Sequence, residues 1–163
     1  MILDALERHR GRGVLIDANL LVLYLVGHVN RKRIANFRRT QSFTLKDFDL
    51  LVGLVNYLGP RIVSTPHVLS QTSDLTKLNG DELRAVRDLM KALVEKIEEQ
   101  YDPAKDLVSH PLFARLGLGD AGIATVCSKK ILVLTTDLAL WIGLQNLGVD
   151  AVNFNHIRQI DWM

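Results

Sequence analysis

Cysteine is nearly absent from this chain. The single thiol, Cys127, rules out a disulfide framework within the chain, and its apolar helical surroundings make it a core filler. Long hydrophobic runs are missing as well: Gly27, His28 and Asn30 end the LLVLYLVG stretch short of the ~18 residues that a membrane span needs. The opening MILDALERHRGRG sets Asp4 and Glu7 among its arginines and has no apolar signal-peptide core, so a cytoplasmic protein is the default expectation. Neither sign of charge dominates, and a formal charge of +2 is too small to announce a polyanionic partner by itself. No internal repeat, low-complexity segment, linker or G-x-S-x-G nucleophile elbow is present. His9, His28, His67, His110 and His156 are scattered without the paired spacing of a metal site. Each reads as a surface or capping residue, with His67 set apart because it follows Pro66 at a helix start, where it can face a cleft. What remains is 163 residues, 48% of them hydrophobic, which is enough for one globular domain over 1–163 with a substantial core.

Apolar runs of two kinds alternate along the chain. GVLID at 13–17 reads as a short strand, followed by an apolar helix through ANLLVLYLVG that Gly27 can terminate. NRKRIANF starts a short helix capped by Asn30. TLKDFDLLVGLVNYLG is a helix with Thr44 at its cap and Leu45, Phe48, Leu51 or Val52, and Val55 on one face. RIVST at 61–65 is a second strand, broken by Pro66, which suits the first turn of a helix running through Leu78. NGDELRAVRDLMKALVEKIEEQY repeats apolar residues at Leu83, Val86, Met90, Leu93 and Ile97, an amphipathic helix that Pro103 limits. A helix over Leu116 to Lys129, the strand ILVLT, the helix DLALWIGLQNLG closed by Gly148 and the strand VDAVNF complete the pattern. The tail IRQIDWM offers Trp162 and Met163 for docking on the domain or on a partner. Strands alternating with helices predict an α/β fold, a three-layer sandwich whose central parallel sheet of about four to five strands is flanked by helices.

Three aspartates sit where a strand-like run gives way to a helix-like run or where a helix opens: VLID ends at Asp17, GLGD opens a helix at Asp120, and ILVLTTD ends at Asp137. Carboxylates at the carboxyl ends of parallel strands converge in the crevice where open α/β sheets bind ligands. Like charges gathered there are costly unless a cation holds them, and a divalent metal suits hard carboxylate oxygens. For any one aspartate the plainer reading is a helix N-cap. Three in this arrangement favour a metal site acting on phosphates. Two such ions about 4 Å apart would acidify a water and clamp phosphate oxygens, with no protein nucleophile required. Charge is also unevenly spread. Arg8, Arg10, Arg12, Arg31, Lys32, Arg33, Arg38 and Arg39 fall within residues 8–39, whereas acids gather between 74 and 106. Such a stripe is either a solvated face or a phosphate-facing patch.

The ordered combination of D-A-N-L-L after the first strand, T-P-H-V-L-S after the second, L-G-L-G-D-A-G-I-A before a helix and L-T-T-D-L-A-L after a strand resembles the PIN domain, over about residues 12 to 154. The resemblance implies an Mg2+- or Mn2+-dependent ribonuclease, in toxin-type members held inactive by an antitoxin, with RNA as partner, homodimers possible and no membrane. By position it implies Asp17, Asp120 and Asp137 as metal carboxylates with Asn19 and Thr135 as polar helpers. Arg31, Lys32, Arg33, Arg38 and Arg39 are the candidates for tracking the nucleic-acid backbone. Where the family pattern places a glutamate this chain has Gln71, a neutral amide that adds no negative charge. Asp74, one helical turn on, is a partial substitute displaced by about 5 Å along the axis. A catalytically degenerate PIN-fold module for RNA binding or protein assembly is the alternative that Gln71 raises.

Two further motifs compete. GLGDAG at 117–122 satisfies G-x-G-x-x-G with Asp137 near the offset of a ribose-binding acid, which points to a nucleotide-cofactor enzyme. That fingerprint needs a strand directly before it, and HPLFARL offers helix-like spacing instead. DAN at 17–19 is similar to the first acid of Asp-nucleophile phosphatases, but Asn19 stands where their second acid belongs. Trp141, on an apolar helix, reads as core rather than as a base-stacking platform.

Overall fold

The computed structural model describes residues 1–128 and 130–160, so the docking expected of Trp162 and Met163, and the helix end expected at Lys129, lie outside the described residues. Five strands, β1 (Val14–Ile16), β2 (Ile62–Ser64), β3 (Glu98–Glu99), β4 (Leu132–Thr135) and β5 (Ala151–Asn153), form one sheet in the order β3-β2-β1-β4-β5. Every pairing is parallel. Leu15 pairs with Val63 on one side and Val133 on the other, which fixes the register at the centre. Around the sheet lie α1 (Ile2–His9), α2 (Ala18–Val29), α3 (Leu45–Leu58), α4 (Pro66–Leu75), α5 (Gly80–Lys96), α6 (Ala104–Leu107), α7 (Phe113–Leu116), α8 (Leu118–Cys127), α9 (Leu138–Asn146) and α10 (Phe154–Ile160), with a 310 helix at Arg31–Asn36. The architecture is the expected three-layer α/β sandwich. No helix among the described residues is long and apolar enough to cross a membrane.

Central strands covered on both faces explain why VLI and LVL are apolar at consecutive positions and buried throughout. Helix starts are set by local chemistry. Thr44 and Asp47 close a reciprocal capping box on α3, and Thr65 caps α4 with Pro66 in its first turn. The strand order runs outward from β1 through β2 to β3, then crosses back to β4 and β5. The switch point therefore lies between β1 and β4, and chain leaving the carboxyl ends of those two strands flanks the crevice above it.

Several elements differ from the sequence expectation. The amphipathic helix expected to continue toward Tyr101 stops at Lys96, and Glu98 and Glu99 pair with Val63 and Ser64 as an edge strand. Glutamate is depleted in strands, so nothing local announces β3. Its support comes from Arg61, whose guanidinium forks Glu98 at 2.7 and 2.9 Å and holds that carboxyl down at about 2. Helix α4 ends at Leu75 rather than Leu78, where the Thr72 and Thr76 hydroxyls donate back to Val68 and Thr72 carbonyls. The expected helix from Leu116 is two pieces, α7 and α8, broken at Gly117, whose φ of 89° excludes most side chains. Helix α1 carries no strong cap and was not expected; His9 docks it on the sheet by a 2.7 Å bond from Nε2 to Asp150.

Gly27 does not terminate α2, which continues to Val29. Its missing Cβ instead admits the Phe48 ring of α3, which a methyl group there would meet at 2.2 Å. Gly27→Ala is therefore expected to destabilise by about 1–3 kcal/mol, roughly 3–10 °C in melting temperature. Gly53→Ala, in open space on α3, is expected to stabilise by about 0.5–1 kcal/mol through helix propensity alone. Thermal unfolding of the two variants separates close approach from propensity: opposite signs support the packing account, and matching gains overturn it.

Candidate functional site

Asp17 leaves β1 and Asp137 follows β4 by two residues, so both stand at the switch point. The Asp17 backbone N–H donates to the Leu134 carbonyl at 2.9 Å, extending the β1 and β4 ladder to the first acid. Thr135, fully buried at the end of β4, links the Asp17 carboxylate to the Asp137 backbone. Its hydroxyl donates to Asp17 Oδ2 at 2.7 Å and accepts from the Asp137 backbone N–H at 3.0 Å. Asp17 Oδ1 accepts from the Ala18 N–H at 2.8 Å at the start of α2, and Asp137 Oδ1 accepts from the Leu140 N–H at 3.1 Å at the start of α9. Both acids thus cap helices, as each would alone, and both present a carboxylate at the same crevice.

Asp120 completes the group from the first turn of α8. Burial pushes its carboxyl up to about 7, with further contributions from the Asp17 and Asp137 charges. Burial likewise raises Asp17, opposed by its bonds from Thr135 and Ala18, while the Asp137 charge adds to the rise. The three aspartates are therefore one electrostatic unit. Among the described residues, the charges acting on Asp120 are those of its two fellow carboxylates.

Other candidates are placed less centrally. Asn19, exposed in the first turn of α2, lines a cavity with Thr136, Arg38 and Arg39. Gln71 and Asp74 lie exposed on α4, and among the described residues neither shares a hydrogen bond or ion pair with the three aspartates. His67 does pack toward α8, near enough that a Cβ on Gly119 or Gly122 would lie 3.9 Å from it. The basic stripe divides. Arg31 forks Asp49 at 2.6 and 3.1 Å, and Arg33 forks Glu82 at 3.0 and 2.5 Å, so both serve ion pairs that tie the 310 helix to α3 and α5. Lys32 is exposed, and Arg38 and Arg39 face the cavity. Arg158, on the unexpected helix α10, lines the same cavity and has no sequence signal beyond a basic residue near the chain end.

Three hard carboxylates with uncompensated charge are suited in kind to a hard divalent cation. As their side chains stand, no three histidine, cysteine, aspartate or glutamate groups among the described residues are gathered into a metal cage. Asp17 directs both carboxylate oxygens, and Asp137 one, to hydroxyl and backbone donors. The strand that a dinucleotide fingerprint requires before its first glycine is replaced by the helical turn α7. No protein-family model matches the chain, and no curated protein matches it.

The raised carboxyl of Asp120 makes a signed prediction for the metal-free protein. The folded state holds this proton between about pH 3.8 and 7, where the unfolded chain has lost it, so stability falls as pH rises through that window. Asp120→Asn removes the penalty. At pH 8 in chelator the variant is expected to melt higher than wild type by about 3–6 °C. That corresponds to on the order of 1–2 kcal/mol after discounting for the solvent that still reaches the group. The gain should shrink toward zero near pH 4. A pH-independent difference between the melting curves would exclude this electrostatic cost.

Proposed function

We propose that the chain is a PIN-like, metal-dependent endoribonuclease that hydrolyses RNA phosphodiester bonds and works in the cytoplasm. The observation that carries the reading is the placement of Asp17 and Asp137 at the switch point of a parallel sheet, with Asp120 close enough to feel both charges and, among the described residues, no ion pair to any of the three. Asp17, Asp120 and Asp137 would hold Mg2+ or Mn2+, which when bound supplies an acidified water and a Lewis acid for phosphate oxygens. The remaining tasks fall to this chain's own groups. Thr135 fixes the spacing and orientation of Asp17 and Asp137 by bonding to both. Asn19, one residue into α2, presents a neutral amide that can orient a water or a substrate oxygen without adding charge. The caps from Ala18 and Leu140 pin the two acids to rigid helix starts, the placement that charge stabilisation in a transition state requires. The partner implied is RNA; in a toxin-type nuclease an antitoxin-like protein, and a second copy of the chain, are the protein partners to seek.

Two features favour a second reading: Gln71 is neutral, and the Asp17 and Asp137 carboxylates accept protein hydrogen bonds, an arrangement that suits a degenerate PIN-fold module for RNA binding or assembly.

Calorimetric titration with Mn2+ and cleavage of a mixed single-stranded RNA pool separate the two. The nuclease reading expects saturable binding in wild type and RNA cut only with metal. Asp17→Asn should lose both, cleavage by at least ~100-fold, and Gln71→Glu should bind more tightly. No binding in wild type with recovery in Gln71→Glu means a degenerate site; no binding in either removes the metal assignment.

A further inference from the structure

Beside the acids at the switch point opens a cavity of about 330 Å3, of whose lining the hydrolytic chemistry uses only Asn19. Its wall includes Asn19, two residues after Asp17, and Thr136, the residue before Asp137, so the cavity abuts the carboxylate cluster. Its lining also includes three arginines, Arg38, Arg39 and Arg158. Arg38 and Arg39 stand on a tight turn pinned by buried Thr40, whose hydroxyl donates to the Ile34 carbonyl at 2.8 Å, while the Gln41 N–H donates to Phe37 at 2.8 Å. Neither arginine has an ion pair or hydrogen bond among the described residues, unlike Arg31 and Arg33. Arg158 is held in place by the buried Asp47 carboxylate at 3.0 Å and by the Phe43 ring, 5.0 Å from its guanidinium carbon. Asp47 is the carboxylate paired with Arg158, so among the described residues the cavity lining keeps two guanidinium groups, those of Arg38 and Arg39, without a paired acid.

We propose that this cavity is a phosphate subsite, which holds one backbone phosphate of a single-stranded RNA next to the phosphate at the aspartates. Guanidinium forks match phosphate oxygens in a way that a lysine cannot. The volume falls in the range of small-ligand sites, about 300–1,000 Å3, enough for a phosphate with its sugar. The Asn19 and Asn155 amides on the wall can bond to a 2′-hydroxyl. The placement next to a scissile phosphate rests on the ribonuclease reading, whereas binding in the cavity does not.

The test is fluorescence anisotropy of a labelled single-stranded RNA on the whole chain in EDTA, where metal-dependent cleavage cannot occur, with Mn2+-supported cleavage measured in parallel. Arg38→Ala/Arg39→Ala should weaken binding by roughly 10-fold or more and lower the slope of log Kd against log salt by about 0.7, one phosphate of a single strand. Arg84→Ala/Lys91→Ala on α5 removes as much charge from exposed positions and should stay within about twofold of wild type. Equal weakening by both pairs, or none by the Arg38/Arg39 pair, overturns the subsite. Stabilisation by inorganic phosphate without RNA binding also overturns it, in favour of a small-anion pocket. Arginine-dependent binding with no cleavage in Mn2+ keeps the subsite and removes the nuclease reading. Cleavage with an unchanged KM in Arg38→Ala/Arg39→Ala does the reverse.

Discussion

The Thr135 hydroxyl is the joint on which the site depends. It is one oxygen, fully buried at the end of β4, that donates to Asp17 and accepts from the Asp137 backbone. Because a hydroxyl has one donor and two acceptor sites, it can bridge a carboxylate and an N–H at once, a task that neither valine nor alanine could perform. The bridge spans the two strands between which the sheet reverses its order, the place where neither a β-hairpin nor a continuous crossover ties the chain together. Parallel pairing of Leu15 with Val133 sets the distance, and the threonine then converts strand register into carboxylate placement. Asp17 and Asp137 are in turn the caps of α2 and α9, so the same atoms that position charge also begin two helices of the sandwich.

That economy has an electrostatic cost. Capping and hydrogen bonding hold the Asp17 carboxyl down, but burial and the Asp137 charge raise it nonetheless, and Asp120 has no such bonds to help it. A fold selected for stability alone would place an asparagine or serine at these helix starts, since either caps without charge. Retention of three acids in one crevice, against their mutual repulsion, is the physical content of the functional reading. The cavity beside them, lined by Arg38, Arg39 and Arg158, sets positive charge next to the acids, a pattern that on the proposed reading would suit a polyanion.

How much of this was legible in the sequence follows from which residues carry local signals. VLI and LVL are apolar without alternation because both faces of a parallel strand are covered, and Thr44, Asp47, Thr65 and Pro66 announce helix starts by their own chemistry. The aspartates were legible because they fall at those same boundaries. Glu98 and Glu99 were not, since their strand rests on pairing with Val63 and Ser64 and on Arg61 at Glu98 rather than on their own propensity. Gly27 misled for a similar reason: a glycine near a helix end reads as a stop, and only the Phe48 ring of another helix reveals it as a close approach. The basic stripe at 31–39 looked uniform because ion pairing is a tertiary fact. Asp49 and Glu82 take Arg31 and Arg33, and the turn around Thr40 sets Arg38 and Arg39 apart from them.

Gln71 bears on the same balance. A fourth carboxylate converging on the crevice would add to the repulsion that already raises Asp120, and would favour a cation more strongly while making the cation-free fold less stable. A neutral amide lowers that internal cost and with it the affinity for any cation. The exposure of Gln71 on α4 adds a geometric reason, since a side chain open to solvent enters a charge cluster only by leaving water. Three acids rather than four leave ligand positions open to groups from outside the chain, and on the proposed reading the phosphate at the aspartates, next to the one held by Arg38, Arg39 and Arg158, would bring oxygen ligands of its own to the crevice. On this argument substrate and cation are expected to bind with positive coupling, each supplying what the other's site lacks.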